Sequence, residues 1–139
     1  MRVVIDTSVL VSAAIRDRLP ERVVLWCVAQ PDVEWLVSAP IMTEYFDVIR
    51  RPKFALSEAT TAWWYEFLST HTTVIDTQRD LEFPKDRKDA PFLTCAAFGN
   101  ADYLITGDGD FGAGRKLIQA LIVTAREFAQ AVAPELLSD

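Results

Sequence analysis

Val3-Val4-Ile5-Asp6-Thr7-Ser8-Val9-Leu10-Val11 is the stretch whose reading decides the fold. Val3-Val4-Ile5 is apolar and β-branched, which favours a strand. The run stops at Asp6, and from Thr7 to about Ile15 the apolar residues return at helical spacing. A strand over residues 2–6 therefore feeds directly into a helix, with an acid at the junction. Asp6, taken singly, fits a helix N-cap as well as it fits a metal ligand.

Working outward, the same alternation repeats. Pro20 opens a second helix that ends near Gln30-Pro31. Val33-Glu34-Trp35-Leu36-Val37 alternates as a short strand. Ser38-Ala39-Pro40 starts a helix that runs to about Arg50, where Pro52 stops it, and Ser57 to about Thr70 forms another. Thr72-Thr73-Val74-Ile75 is strand-like, and a polar loop from Asp76 to Lys88 follows. Asp89 is placed as the N-cap of a helix that continues to about Phe98 and closes at Gly99-Asn100. Tyr103-Leu104-Ile105-Thr106 is a strand, followed by the loop Gly107-Asp108-Gly109-Asp110. Ala120-Leu121-Ile122-Val123 is the last strand, and Thr124-Ala125-Arg126-Glu127 is a capping box for the final helix. Strands alternating with helices predict a mainly parallel sheet covered on both faces, an α/β fold of three layers. Ligands of such sheets bind at the carboxyl ends of the strands.

The chain has 139 residues, half of them hydrophobic, which fits one domain, residues 1–139, with a core that needs no disulfide. Cys27 and Cys95 sit among apolar neighbours and read as core residues of a cytosolic protein. No apolar run approaches the ~20 residues of a membrane span. The first residues lack the basic and apolar regions of a secretion signal. The expected location is the cytoplasm. A net charge of −6 argues against tight, non-specific gripping of nucleic acid. Cations bound among the acids would cancel much of that charge locally.

The acids carry the chemistry. Glu44, Asp89, Asp108 and Asp110 each follow a strand or open a helix, as Asp6 does. Each alone has an ordinary explanation: a solvated helix side chain for Glu44, an N-cap for Asp89, a turn for Asp108 and Asp110. Under a parallel sheet, Asp6 and Asp108 lie at one edge, and Glu44 is near enough to its helix start to point there. Clustered carboxylates repel unless a cation joins them, and Mg²⁺ and Mn²⁺ prefer such oxygen ligands. There is no Walker loop, no Gly-x-Gly-x-x-Gly and no serine elbow. The single histidine, His71, closes a helix. Metal-bound water is then the nucleophile that remains.

At this point the chain resembles the PIN-domain family, and more narrowly the VapC-like ribonuclease toxins of toxin–antitoxin pairs. The resemblance rests on Val4-Ile5-Asp6-Thr7-Ser8-Val9-Leu10-Val11-Ser12-Ala13, on Glu44-Tyr45 with Arg51-Pro52-Lys53-Phe54, and on Asp89-Ala90-Pro91-Phe92-Leu93. Ala101 to Phe111, which contains Thr106-Gly107-Asp108-Gly109-Asp110, and Thr124-Ala125-Arg126-Glu127-Phe128 complete it. It implies a PIN-like α/β/α sandwich and Mg²⁺- or Mn²⁺-dependent cleavage of RNA. Asp6, Glu44, Asp89 and Asp108 match the family's catalytic metal-binding acids, and Asp110 matches a further acid that some members use. Ser8 and Thr106 match polar residues that support such sites by hydrogen bonding. Arg50, Arg51, Lys85, Arg87 and Lys88 are candidates for contacts with the RNA backbone. A cognate antitoxin is the implied partner, and the aromatic run Trp63-Trp64-Tyr65 is either core or the lining of an antitoxin groove or homodimer interface. After Asp110 the chain departs from its relatives with the glycine-rich Phe111-Gly112-Ala113-Gly114-Arg115.

Two other readings stand beside this one. An aspartyl-nucleophile phosphatase needs a second Asp two residues after the first, where this chain has Ser8. A non-catalytic RNA- or protein-binding module would keep the fold without the chemistry.

Overall fold

The computed structural model describes residues 1–77, 88–107 and 118–138. These form five strands and six α-helices. In chain order they are β1 (Arg2–Ile5), α1 (Thr7–Ala14), α2 (Arg18–Ala29), β2 (Glu34–Val37), α3 (Ala39–Ile49), α4 (Glu58–His71), β3 (Thr72–Val74), α5 (Ala90–Phe98), β4 (Tyr103–Thr106), β5 (Leu121–Thr124) and α6 (Ala125–Val132). Every strand pair is parallel, in the order β3-β2-β1-β4-β5. The right-handed crossover rule then places α1 to α4 on one face and α5 on the other, giving the three-layer α/β/α arrangement.

The strands are apolar because both faces are covered. Val3, Val4, Ile5, Leu104 and Ile105 are fully buried, and one core cluster joins them to Val23, Trp35, Leu68, Phe92 and Phe128. Cys27 and Cys95 belong to this core as free thiols, and burial pushes both up to about 12, which keeps them protonated and unreactive at neutral pH.

One boundary differs from expectation, and two others carry local detail that the sequence does not give. α2 begins at Arg18, not Pro20, because Asp17 takes the N-cap position and Pro20 falls within the first turn, where the missing N–H has no helical partner to lose. Asp89 occupies the N-cap position of α5 without capping it through its side chain. Its backbone is already helical (φ −86°, ψ −14°), whereas capping needs an extended residue. Pro52 does more than stop α3: it opens a 3-10 turn, Pro52–Phe54, that ends on Ala55 in the left-handed region at φ 52°.

The expected capping box is present. Thr124 Oγ1 accepts from the Glu127 N–H (3.1 Å), and the Thr124 N–H donates to Glu127 Oε1 (2.9 Å). Replacing Thr124 with Ala is expected to cost about 1 kcal/mol, read as a lower urea midpoint with an unchanged slope. A midpoint equal to wild type would show that the box does not hold the α6 start.

Candidate metal centre and active site

The parallel ladders decide what meets at the carboxyl edge of the sheet. Ile5 pairs with Ile105, and the Asp6 N–H extends the ladder to the Ile105 carbonyl at 2.8 Å. Asp6 and Thr106 are therefore neighbours on adjacent strands. Thr106 Oγ1 donates to Asp6 Oδ2 at 3.0 Å, and Ser8 Oγ donates to the same oxygen at 2.7 Å. The Gly107 N–H donates in turn to Ser8 Oγ at 3.1 Å. A Cβ on Gly107 would come within 3.0 Å of that hydroxyl, so glycine permits this close approach.

These bonds show where the Asp6 side chain is directed. Asp6 sits at the N-cap position of α1 with extended backbone, yet its side chain makes no cap hydrogen bond. Both hydroxyls hold one carboxylate oxygen, which orients the other.

Glu44 reaches the same region from α3. The burial stripe of that helix runs through Ile41, Tyr45 and Val48, and Glu44 lies on its flank, half-buried. Thr7, the first residue of α1, donates its hydroxyl to Glu44 Oε2. Beneath this pair, the fully buried Tyr45 donates its hydroxyl to the Ile5 carbonyl, the backbone just before Asp6. Burial above all, then the nearby Asp6 and Glu44 charges, raise the Tyr45 phenol well above its ordinary value, so it stays a donor. Thr7 and Tyr45 were not singled out from the sequence.

Asp6, Glu44 and Asp89 all line one cleft of about 550 Å³ at this edge. Arg51, Lys53 and Lys88 line it too, with Phe54 from the 3-10 turn. Arg51 also pairs with Asp47 at 3.2 Å, whereas Arg50 reaches Asp47 at 3.7 Å and does not line the cleft. Asp108, Asp110, Lys85 and Arg87 lie outside the described residues, as does the glycine-rich stretch after Asp110.

Residues 2–110 match the family model described as PIN domain. The chain belongs to the PIN-domain family. PIN domains are generally nucleases, hydrolases that work with divalent metal ions. No curated protein sequence matches the chain closely enough to name a relative. The PIN match spans β1 to β4 and ends before β5 and α6, which nonetheless complete the same sheet and core.

The donors fit a hard cation. The described ligand candidates in the cleft of this PIN domain are carboxylates and hydroxyls, with no thiol or imidazole among them. That set suits Mg²⁺ or Mn²⁺ better than zinc. Among the described residues, no three acidic, histidine or cysteine side chains gather closely enough to enclose a metal on their own.

Elsewhere, the aromatic run on α4 divides. Trp64 is core, while Trp63 is 51% exposed and stacks on Phe67 at 4.8 Å. Trp63 and Leu25 line a second cleft, between α2 and α4. His71 ends α4, exposed, against Phe67. Among the described residues, no helix is long and apolar enough to cross a membrane.

Proposed function

We propose that the chain is an Mg²⁺- or Mn²⁺-dependent endoribonuclease, formed by one PIN domain over residues 1–139, and the toxin of a toxin–antitoxin pair acting in the cytoplasm. The observation that carries this reading is that Asp6, Glu44 and Asp89, from three separate elements, line one cleft of a PIN domain. Asp6, Glu44 and Asp89, with Asp108 and Asp110 as the sequence places them, would hold the metal. When bound, the metal supplies an activated water and neutralises charge on the phosphate.

The protein's own groups do the rest. Ser8 and Thr106 fix the Asp6 carboxylate, so its free oxygen is set before substrate arrives. Thr7 holds Glu44, which binds metal or orients the attacking water. Arg51 and Lys88, which line the cleft, attract the phosphodiester, and Arg50, Lys85 and Arg87 are further candidates for the RNA backbone. The half-exposed Trp63 and the groove it shares with Leu25 suit an apolar antitoxin segment or a second copy of the chain. Against an aspartyl phosphatase, Ser8 stands where a second Asp is required and spends its hydroxyl on Asp6.

Structured and unstructured RNAs incubated with Mg²⁺, Mn²⁺ or EDTA provide the test. Cleavage is expected with either metal and none with EDTA. Metal at about 100 times its Kd should also stabilise the fold by about 2.7 kcal/mol, several degrees in Tm. Equal cleavage in EDTA would refute metal dependence. No cleavage and no change in Tm would favour a binding module instead.

A further inference from the structure

We propose that Phe54 is a stacking platform for one unpaired base of a single-stranded RNA, with Lys53 gripping the adjoining phosphate, an assignment that rests on the nuclease reading above. Phe54 is an aromatic side chain that the fold does not use. It is half-buried, but it belongs neither to the core cluster nor to the partly buried side chains packed against it, although Leu56, two residues on, does. Among the described residues no other aromatic ring packs on it. Instead it lines the cleft that holds Asp6, Glu44 and Asp89.

Its placement carries a cost. The turn that presents it closes with Phe54 N–H to Arg51 O (3.1 Å) and Ala55 N–H to Pro52 O (3.0 Å). Ala55 must then adopt a left-handed backbone, φ 52°, which a residue with a Cβ disfavours. Strain of this kind concentrates where a side chain is positioned for a ligand. The Lys53 ammonium lies 5.1 Å from the Phe54 ring centroid. Among the described residues it has no carboxylate partner, so a phosphate can draw it away at little cost.

The chemistry identifies the ligand. The cleft sets acids and cations beside an apolar side made by Phe54, Val11 and Val48, a lining that suits a ligand both charged and flat. A nucleotide is both: the base offers a π-face and the phosphate an anion. Only an unpaired base can reach the ring, because bases within a duplex are stacked on one another. Single strands are therefore preferred over duplexes, and the stacked base sits next to the bond held at the carboxylates.

The test measures binding separately from cleavage. On an Asp6→Asn background, Kd is measured for a single-stranded RNA carrying 2-aminopurine and for a hairpin of the same composition. Phe54→Leu keeps an apolar side chain, and Phe54→Trp keeps an aromatic one. Phe54→Leu is expected to weaken single-strand binding about tenfold, the scale of one base–aromatic stack, with Tm unchanged. It should also remove the quenching of 2-aminopurine, and Phe54→Trp should restore both. Lys53→Ala should lower the salt dependence by about one phosphate contact. Equal Kd and quenching for Phe54→Leu and its parent would overturn the platform even if the wild type cuts RNA. Phe54-dependent binding by a wild type that never cuts would uphold the platform and sink the nuclease reading. Failure to bind any single strand, or hairpin binding as tight as single-strand binding, would overturn the platform.

Discussion

Asp6→Asn is expected to lower metal-dependent RNA cleavage by at least about a thousandfold, a loss of about 4 kcal/mol or more in transition-state stabilisation, while the protein stays folded. The asparagine keeps the shape of the side chain. Its amide oxygen can accept from Ser8 and Thr106, as Asp6 Oδ2 does at 2.7 and 3.0 Å, so the local hydrogen bonds survive. What disappears is the charge, and with it the central anionic ligand of the proposed metal site. Tm in EDTA should stay within about 2 °C of wild type, and the rise produced by Mg²⁺ or Mn²⁺ should shrink or vanish. Asp6→Ala is a poorer probe. It removes the carboxylate that Ser8 and Thr106 both hydrogen-bond, so any loss of local order would be mixed with the loss of function. Cleavage by purified Asp6→Asn within about threefold of wild type would remove Asp6 from the site.

Asp6 is also where sequence and structure agree most closely, and the reason is local. A β-branched run, an acid and a helical spacing are neighbours in the chain, so the end of β1 needs no distant information. The same holds for β4 and for the Thr124 capping box. Long-range partnerships are another matter. Glu44, taken singly, reads from sequence as a solvated helix residue able to point to the sheet edge, and the packing of α3 beside α1 brings it to Thr7, 37 positions away. A trace of this was present: Glu44 flanks the apolar stripe of Ile41, Tyr45 and Val48, an unusual place for an acid. Asp89 takes the N-cap position that the sequence gives it, but its side chain does not cap, because residue identity does not fix the backbone angle that capping needs. Phe54 belongs to a stretch that the sequence does mark, but its place in the cleft was not legible there. An aromatic residue after proline suggests a turn, but whether the ring enters the core or a cleft is decided by residues far along the chain.

Tyr45→Phe is expected to do the opposite of Asp6→Asn: to lower stability while sparing the chemistry. The wild-type hydroxyl serves two buried groups. It donates to the Ile5 carbonyl and accepts from Trp35 Nε1 at 3.4 Å. The β1–β2 pairing registers Arg2 with Glu34 and Val3 with Trp35, so the phenol takes over where that ladder ends. Phenylalanine fills the same space but leaves a carbonyl and an indole N–H without partners at a site that water does not reach. The expected cost is about 2–3 kcal/mol, a large share of a stability of about 5–15 kcal/mol, with Tm lower by roughly 10 °C. Because every carboxylate remains, cleavage at 25 °C should stay within about tenfold of wild type. The pH dependence offers a second check. The folded phenol resists ionisation, whereas in the unfolded chain it ionises near its ordinary value of 10.0. Its contribution is therefore complete below pH 10 and declines above it, as ionisation stabilises the unfolded wild type. The gap in stability between wild type and Tyr45→Phe should be constant from neutral pH to about 9 and narrow above 10. A variant as stable as wild type at pH 7, or a gap that widens in alkali, would mean that the phenol does not anchor the strand end from which Asp6 projects.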